Sequence, residues 1–150
     1  MGDQQDAFRQ ELLKNPEILS VSGSQEVLGG QIGDNVYVPE GSGVEETFAI
    51  NNLHVDAYFG QTYELDLVEG RFFSPDQPTD SFALILNEAA VRAFGFDKPL
   101  ERRLNVSLGE EVDPLPVLGV VRDFNFQSLH QEIRPLILRY LHWNAYTFSI

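Results

Sequence analysis

Residues 116–138, Pro-Val-Leu-Gly-Val-Val-Arg-Asp-Phe-Asn-Phe-Gln-Ser-Leu-His-Gln-Glu-Ile-Arg-Pro-Leu-Ile-Leu, constrain the fold more than any other stretch. Val117, Leu118, Val120 and Val121 form an apolar run around Gly119. Such a run suits a strand covered on both faces, not one half open to water, so it reads as a central strand. After Asp123, Phe124 and Phe126 alternate with Asn125 and Gln127, the pattern of a strand leaving the core for a sheet edge. Ser128-x-x-Gln131 fits a capping box and predicts a turn of helix; Pro135 ends it and starts Leu136 to Leu138 as the next strand.

Upstream, Phe8, Leu12 and Leu13 mark one face of a helix that Asp3 or Asp6 can cap and Asn15-Pro16 ends. Ile18, Leu19 and Val21 read as a strand. Ser22 to Gly43 is rich in glycine and polar residues and predicts a mobile loop holding only a brief Val36-Tyr37-Val38 strand. Thr47 to Val55 returns to strand chemistry, and Asp56 is placed to cap a short helix over residues 57–63. Leu65 to Val68 leads into Glu69-Gly70-Arg71-Phe72-Phe73-Ser74-Pro75-Asp76, a corner with its aromatics turned inward. Ala83 to Leu86 is a buried strand, and Asn87 caps a helix that directs Ala90, Val91 and Phe94 to the core and stops at Gly95. Lys98 to Leu104 and the acidic loop Glu110 to Pro114 read as solvated surface, and residues 140–150 as aromatic-rich strand material turning near Asn144.

The chain of 150 residues shows no internal repeat and no long low-complexity tract, which favours one α+β domain with helices packed on one face of a mixed sheet and loops partly covering the other. Its 23 acidic residues against 10 basic ones, a net charge of -13, repel phosphate backbones and anionic headgroups, so no nucleic-acid partner is expected. The lack of cysteine removes disulfides and thiol chemistry. No run approaches the ~20 apolar residues that span a bilayer, and the start lacks a signal-peptide pattern.

Candidate chemistry is sparse. His54, His130 and His142 stand apart with no metal-ligand spacing, so no metal is expected; the serines at 24 and 42 lack a nucleophile-elbow context. The glycines between Gly29 and Gly33 lack the lysine and following helix of a phosphate cradle, and no cofactor is expected. Asn105-Val106-Ser107 is a chance-level glycosylation pattern. The many carboxylates leave open a free-standing acidic hydrolase built on a carboxylate pair. Glu69-Gly70-Arg71 and Arg122-Asp123 read as structural pairings, with Arg71 expected to meet Asp56 or Glu88.

Val55-Asp56, Leu67 to Phe73, Ile85 to Ala90, Pro99 to Leu104 and Val117 to Phe124 form a series that resembles the MacB-like periplasmic core domain of FtsX-type ABC transporter permeases. Phe126 to His130 followed by Arg134-Pro135-Leu136 is most similar to the second extracytoplasmic domain of permeases that carry two. The motif residues are Asp56, Gly70, Arg71, Asn87, Glu88, Pro99, Gly119, Asp123 and Pro135. Where the family often has glycine, this chain has Glu101, which puts a tight turn there in question. The family also continues beyond the equivalent of Ile150. The resemblance implies a non-enzymatic domain taken from a membrane protein and exposed on the periplasmic side of the bacterial inner membrane. Its partners would be a second permease copy, a cytoplasmic ATP-binding subunit, and a periplasmic adaptor or a substrate protein or peptide. It further implies one domain in two lobes: residues 1–55 with 80–95 and 116–150, and an inserted β-rich lobe of roughly 56–79 and 96–115. Residues 123–135 would join them. A pure protein-interaction module is the remaining alternative.

Overall fold

The computed structural model describes residues 2–43, 45–106, 113–141 and 147–150. Its helices are α1 (Gly2–Leu13), α2 (Phe59–Thr62) and α3 (Glu88–Phe94). Its strands are β1 (Ser22–Ser24), β2 (Asp34–Pro39), β3 (Phe48–Val55), β4 (Leu67–Gly70), β5 (Leu84–Asn87), β6 (Arg103–Val106), β7 (Leu115–Val121), β8 (Leu136–Tyr140) and β9 (Thr147–Ser149). Single 3-10 turns form at Pro78–Phe82 and Pro99–Glu101.

All the strands join one mixed sheet in the order β2-β6-β7-β5-β8-β3-β1-β9. β2 also pairs with β3, so β2, β6, β7, β5, β8 and β3 close a ring of pairings; β4 attaches to β7 beside β6. The β3–β8 and β5–β7 pairs are parallel and the rest antiparallel.

Strand alternation divides the apolar side chains into two cores. Leu84, Leu86, Val117, Ile137, Ile50 and Leu104 come from ring strands and pack with Ala90 of α3 and with Phe96. Ile85, Leu136, Leu138, Leu53 and Val121 point the other way and are covered by Phe59 of α2, Phe73 and Phe126. The helices thus divide between the cores, and loop aromatics cover much of the second one. β7 is the central strand its composition predicts: it pairs β5 on one side and β4 and β6 on the other, and Val117, Val120 and Val121 are buried. A bulge at Leu118 shifts the register from Leu84↔Val117 to Ile85↔Gly119. The extra residue reverses which face the following side chains occupy.

Several local expectations are corrected. Leu19 is 87% exposed, and the strand begins instead at Ser22, where main-chain pairing with Ser149 to Thr147 outweighs side-chain composition. Residues 22–43 hold β1 and the full-length β2, and they are anchored: Gly29 N–H donates to the Phe126 carbonyl and Asn52 N–H to the Gly33 carbonyl, each at 2.9 Å, while Ile32 is buried. α1 already runs from Gly2, so Asp6 lies inside it; the Asp3 side chain lies outside what is described. β7 ends at Val121, and Phe124 and Phe126 pack as an edge-to-face pair instead of continuing the strand. Ser128 starts a turn, not a helix: Gln131 N–H donates to the Ser128 carbonyl and His130 N–H to Ser128 Oγ. That local hydroxyl bond takes the acceptor a capping box would need. The acidic loop at 110–112 and the turn near Asn144 fall outside the described residues.

Candidate functional site

The motif residues gather in two knots and a crevice. The first knot surrounds the start of α3. Asn87, fully buried, ends β5 in extended conformation, and its Oδ1 accepts N–H bonds from Ala90 (2.8 Å) and Leu136 (2.9 Å). The first caps α3 as the sequence predicts, and Gly95 ends the helix in the left-handed region. Asn87 Nδ2 donates to the Arg134 carbonyl at 2.9 Å, so one amide straddles Pro135, which has no N–H of its own. Glu88 Oε1 accepts from Asp123 N–H (3.0 Å), and Asp123 Oδ1 accepts from Ala89 N–H (2.8 Å). Arg92 Nη2 donates to Asp123 Oδ2 at 2.8 Å, and that bond raises the guanidinium's pKa. Both ends of the 122–135 connection are therefore fastened to the β5–α3 corner.

The second knot lies where β4 meets β7. Gly70 and Gly119 face each other across the ladder. A Cβ on Gly70 (φ +76°) would sit 2.3 Å from the Leu118 carbonyl oxygen, and one on Gly119 would sit 2.5 Å from that of Arg71. No side chain fits between these backbones. Pro99 is buried at the start of its 3-10 turn, and the next residue, Leu100, reaches over Gly70. Glu101 takes no positive φ, so the glycine expected at that position is not required for the turn.

Arg71 corrects the expected pairing. It grips neither Asp56 nor Glu88 but Asp80, in a two-pronged bond of 2.8 and 2.7 Å. Asp80 is 1% exposed and also accepts from Ser74 N–H, whereas the Arg71 side chain is 44% exposed. The hydrogen bonds from Arg71, above all, hold the Asp80 carboxyl below the usual carboxylate range. The turn Pro78–Phe82 folds Asp80 back under the corner, a tertiary event without local signature.

Asp56 lies in a crevice of about 310 Å³ between α1, the start of α2 and the end of β8. It does not cap α2, whose N-cap position is Tyr58; its Oδ1 instead accepts from Tyr58 N–H (3.0 Å) and its Oδ2 from Gly23 N–H (2.6 Å). Burial pushes its pKa up against those bonds. Arg9 lies 3.2 Å from the Tyr58 ring centroid and donates to the Val21 carbonyl, fastening α1 over the crevice. Sequence reading missed Arg9 and Asp80; the place of Arg9 three and four residues before Leu12 and Leu13, on their side of the helix, was the available hint of the first.

Chemically these groups hold main chain in place. The carboxylates of Asp56, Glu88 and Asp123 each accept from a backbone N–H, a poor arrangement for a general base. His54 stands 3.6 Å from Glu26, His130 takes part in the Ser128 turn, and His142 lies outside the described residues. Among the described residues, no group of three or more histidine and carboxylate side chains could hold a metal.

No protein-family model matches the chain, and no curated protein matches it significantly. Solved structures do. The periplasmic region of MacB from Actinobacillus actinomycetemcomitans superposes with a TM-score of 0.60 at 19% identity, covering 88% of this chain and 52% of that one. A domain of a putative permease protein from Porphyromonas gingivalis gives 0.59 at 16% identity, covering 85% of this chain and 51% of that one. The extracellular domain of the noncanonic ABC-type transporter YknZ from Gram-positive bacteria gives 0.55 at 18% identity, covering 85% and 58%. The chain spans about half the length of the structures it matches. Over most of its own length, it has the mixed α+β fold of the periplasmic and extracellular domains of ABC-type transporter permeases.

Proposed function

We propose that the chain is the extracytoplasmic domain of a bacterial ABC transporter permease, positioned outside the inner membrane. There it couples ATP hydrolysis by a separate cytoplasmic subunit to the movement of a substrate or the engagement of a periplasmic partner. The observation that carries this reading is the fold match over 85–88% of the chain to such domains. No helix among the described residues is long and apolar enough to cross a membrane; on this reading, the membrane-spanning segments lie outside residues 1–150. A second permease copy would supply the opposing outer domain. Residues 56–79 and 96–115 would form the inserted lobe of the domain, with 123–135 leading back from it.

The knot of Asn87, Glu88 and Asp123 suits that role. A domain that transmits force needs its crossover held stiffly, and here both ends of the crossover are hydrogen-bonded to one helix start. The hydrolase reading gains no support from carboxylates already engaged by backbone N–H groups. The complete reading frame tests the proposal: it should encode membrane-spanning helices flanking this segment, and the protein should purify from membranes together with an ATP-binding protein. A frame without flanking membrane helices would overturn it.

A further inference from the structure

A groove of about 250 Å³ runs between α3 and β4. Its apolar lining is a floor of Val120 and Phe96, both buried, with Val91, Val68 and Pro99 around them. The volume holds one or two side chains, which suits an anchor residue better than a drug-sized ligand. β4 borders it as an edge strand: it pairs β7 on one side, and among the described residues no strand pairs with its other side. Each residue of β4 is exposed, Leu67 at 44% and Val68 at 48%, and Leu100 beside Gly70 is 41% exposed. An exposed edge beside a groove with apolar lining is a site where an extended segment can add as a further strand.

Charge selects the occupant. Glu69, Glu88 and Asp97 line the groove, and the one lining cation, Arg92, is paired with Asp123. The basic residues next along the chain are themselves engaged, Lys98 with Glu101 and Arg102 over the Phe96 ring. A second copy of the chain would bring the same net charge of -13, and an anionic lipid surface would be repelled in the same way. An apolar segment flanked by lysine or arginine matches both the floor and the rim. We propose that the α3–β4 groove binds an extended apolar segment with basic flanks from a partner polypeptide, which pairs with β4 and inserts an aliphatic side chain between Val68 and Val91. This goes beyond the transporter reading and does not depend on it, since it concerns the isolated chain.

The test is fluorescence anisotropy of the labelled peptide KKVLVKK with the purified chain at physiological salt, beside KKSSSKK of equal charge. KKVLVKK should bind, and KKSSSKK should bind about tenfold or more weaker. Val68→Asp, at an exposed position, should weaken KKVLVKK by a similar factor, as should Glu69→Lys combined with Asp97→Lys, which keeps the apolar floor. Glu17→Lys, just past α1 and away from the groove, should change affinity by less than about twofold, as expected of a rim charge far from the contact. The inference is overturned if KKVLVKK fails to bind, if KKSSSKK binds equally, or if neither groove variant weakens binding. It is equally overturned if the surface that Val68→Asp disables proves to bind a second copy or anionic vesicles instead.

Discussion

Glu88 and Asp123 cross-link two segments of main chain: the Glu88 carboxylate accepts the Asp123 N–H, and the Asp123 carboxylate accepts the N–H of Ala89, the residue after Glu88. The bonds close a loop between the first turn of α3 and the residue two positions past the end of β7. A carboxylate at a helix start also meets the positive end of the helix dipole. Asp123→Ala should therefore cost about 1–2 kcal/mol of unfolding free energy, comparable to the loss of a helix cap, and Asp123→Asn less. Because the two bonds share one loop, Glu88→Ala and Asp123→Ala should be non-additive by about 0.5 kcal/mol or more in urea denaturation.

Asn87 is the more demanding position, because one buried amide satisfies two donors and one acceptor. Asn87→Ala leaves all three without that partner, and at ~1 kcal/mol per bond the expected loss is about 3 kcal/mol, read as a lowered denaturation midpoint. Asn87→Asp keeps both acceptor bonds but turns an oxygen towards the Arg134 carbonyl. It should fall between the wild type and Asn87→Ala.

Three glycines separate steric from conformational cost. Gly95 has φ +70° but open space around its would-be Cβ, so Gly95→Ala should cost only the left-handed penalty of about 1 kcal/mol. Gly70→Ala adds a collision with the Leu118 backbone, and Gly119→Ala collides with the Arg71 backbone. Gly70→Ala should therefore lose about 1–3 kcal/mol more than Gly95→Ala, whereas Gly119, which has no positive φ, pays about 1–3 kcal/mol of overpacking alone. Equal melting temperatures for all three variants would contradict this account of the β4–β7 contact.

Arg71→Ala leaves Asp80 buried without its two-pronged guanidinium partner, though still accepting from the Ser74 N–H. The loss should be about 2 kcal/mol, below the ~3–5 of a fully buried pair, because the guanidinium is half in water. The pH dependence has a definite sign. The folded-state pKa of Asp80 is depressed, so its contribution to stability is fully present above the ordinary value near pH 4 and is lost as pH falls towards the folded value. Asp56 behaves oppositely: its folded pKa is raised, so its contribution is fullest below the ordinary value and is lost as pH rises through the raised one. In a carboxyl-carbon NMR titration, Asp56 should take up its proton before Asp80 as the solution is acidified.

Much of this architecture was legible because its signals are local. The run Val117 to Val121 announced a doubly covered strand, and Asn87 and Gly95 announced the ends of α3 through capping chemistry. The glycine corner at Gly70 was likewise readable from its own residues. What escaped depends on distant partners. β1 is Ser-Gly-Ser and owes its strand state to β3 and β9; Asp80 reaches Arg71 only once the 3-10 turn forms. The Ser128–Gln131 pattern was misread because a capping box and a serine turn share the same residue types and differ only in whether a helix follows. The family resemblance grouped the motif residues, but nothing in their local sequence indicated that Asp56, Asn87, Glu88 and Asp123 bind main chain.

The central claim is the location of the domain. Since residues 1–150 contain no cysteine, Glu101→Cys, on an exposed side chain, gives this segment a single thiol. In the full-length protein, with any other cysteine replaced by serine, a membrane-impermeant maleimide added to intact spheroplasts should label that thiol in the membrane fraction. Labelling only after lysis of the inner membrane, or recovery of the protein from the cytosol, would contradict an extracytoplasmic permease domain.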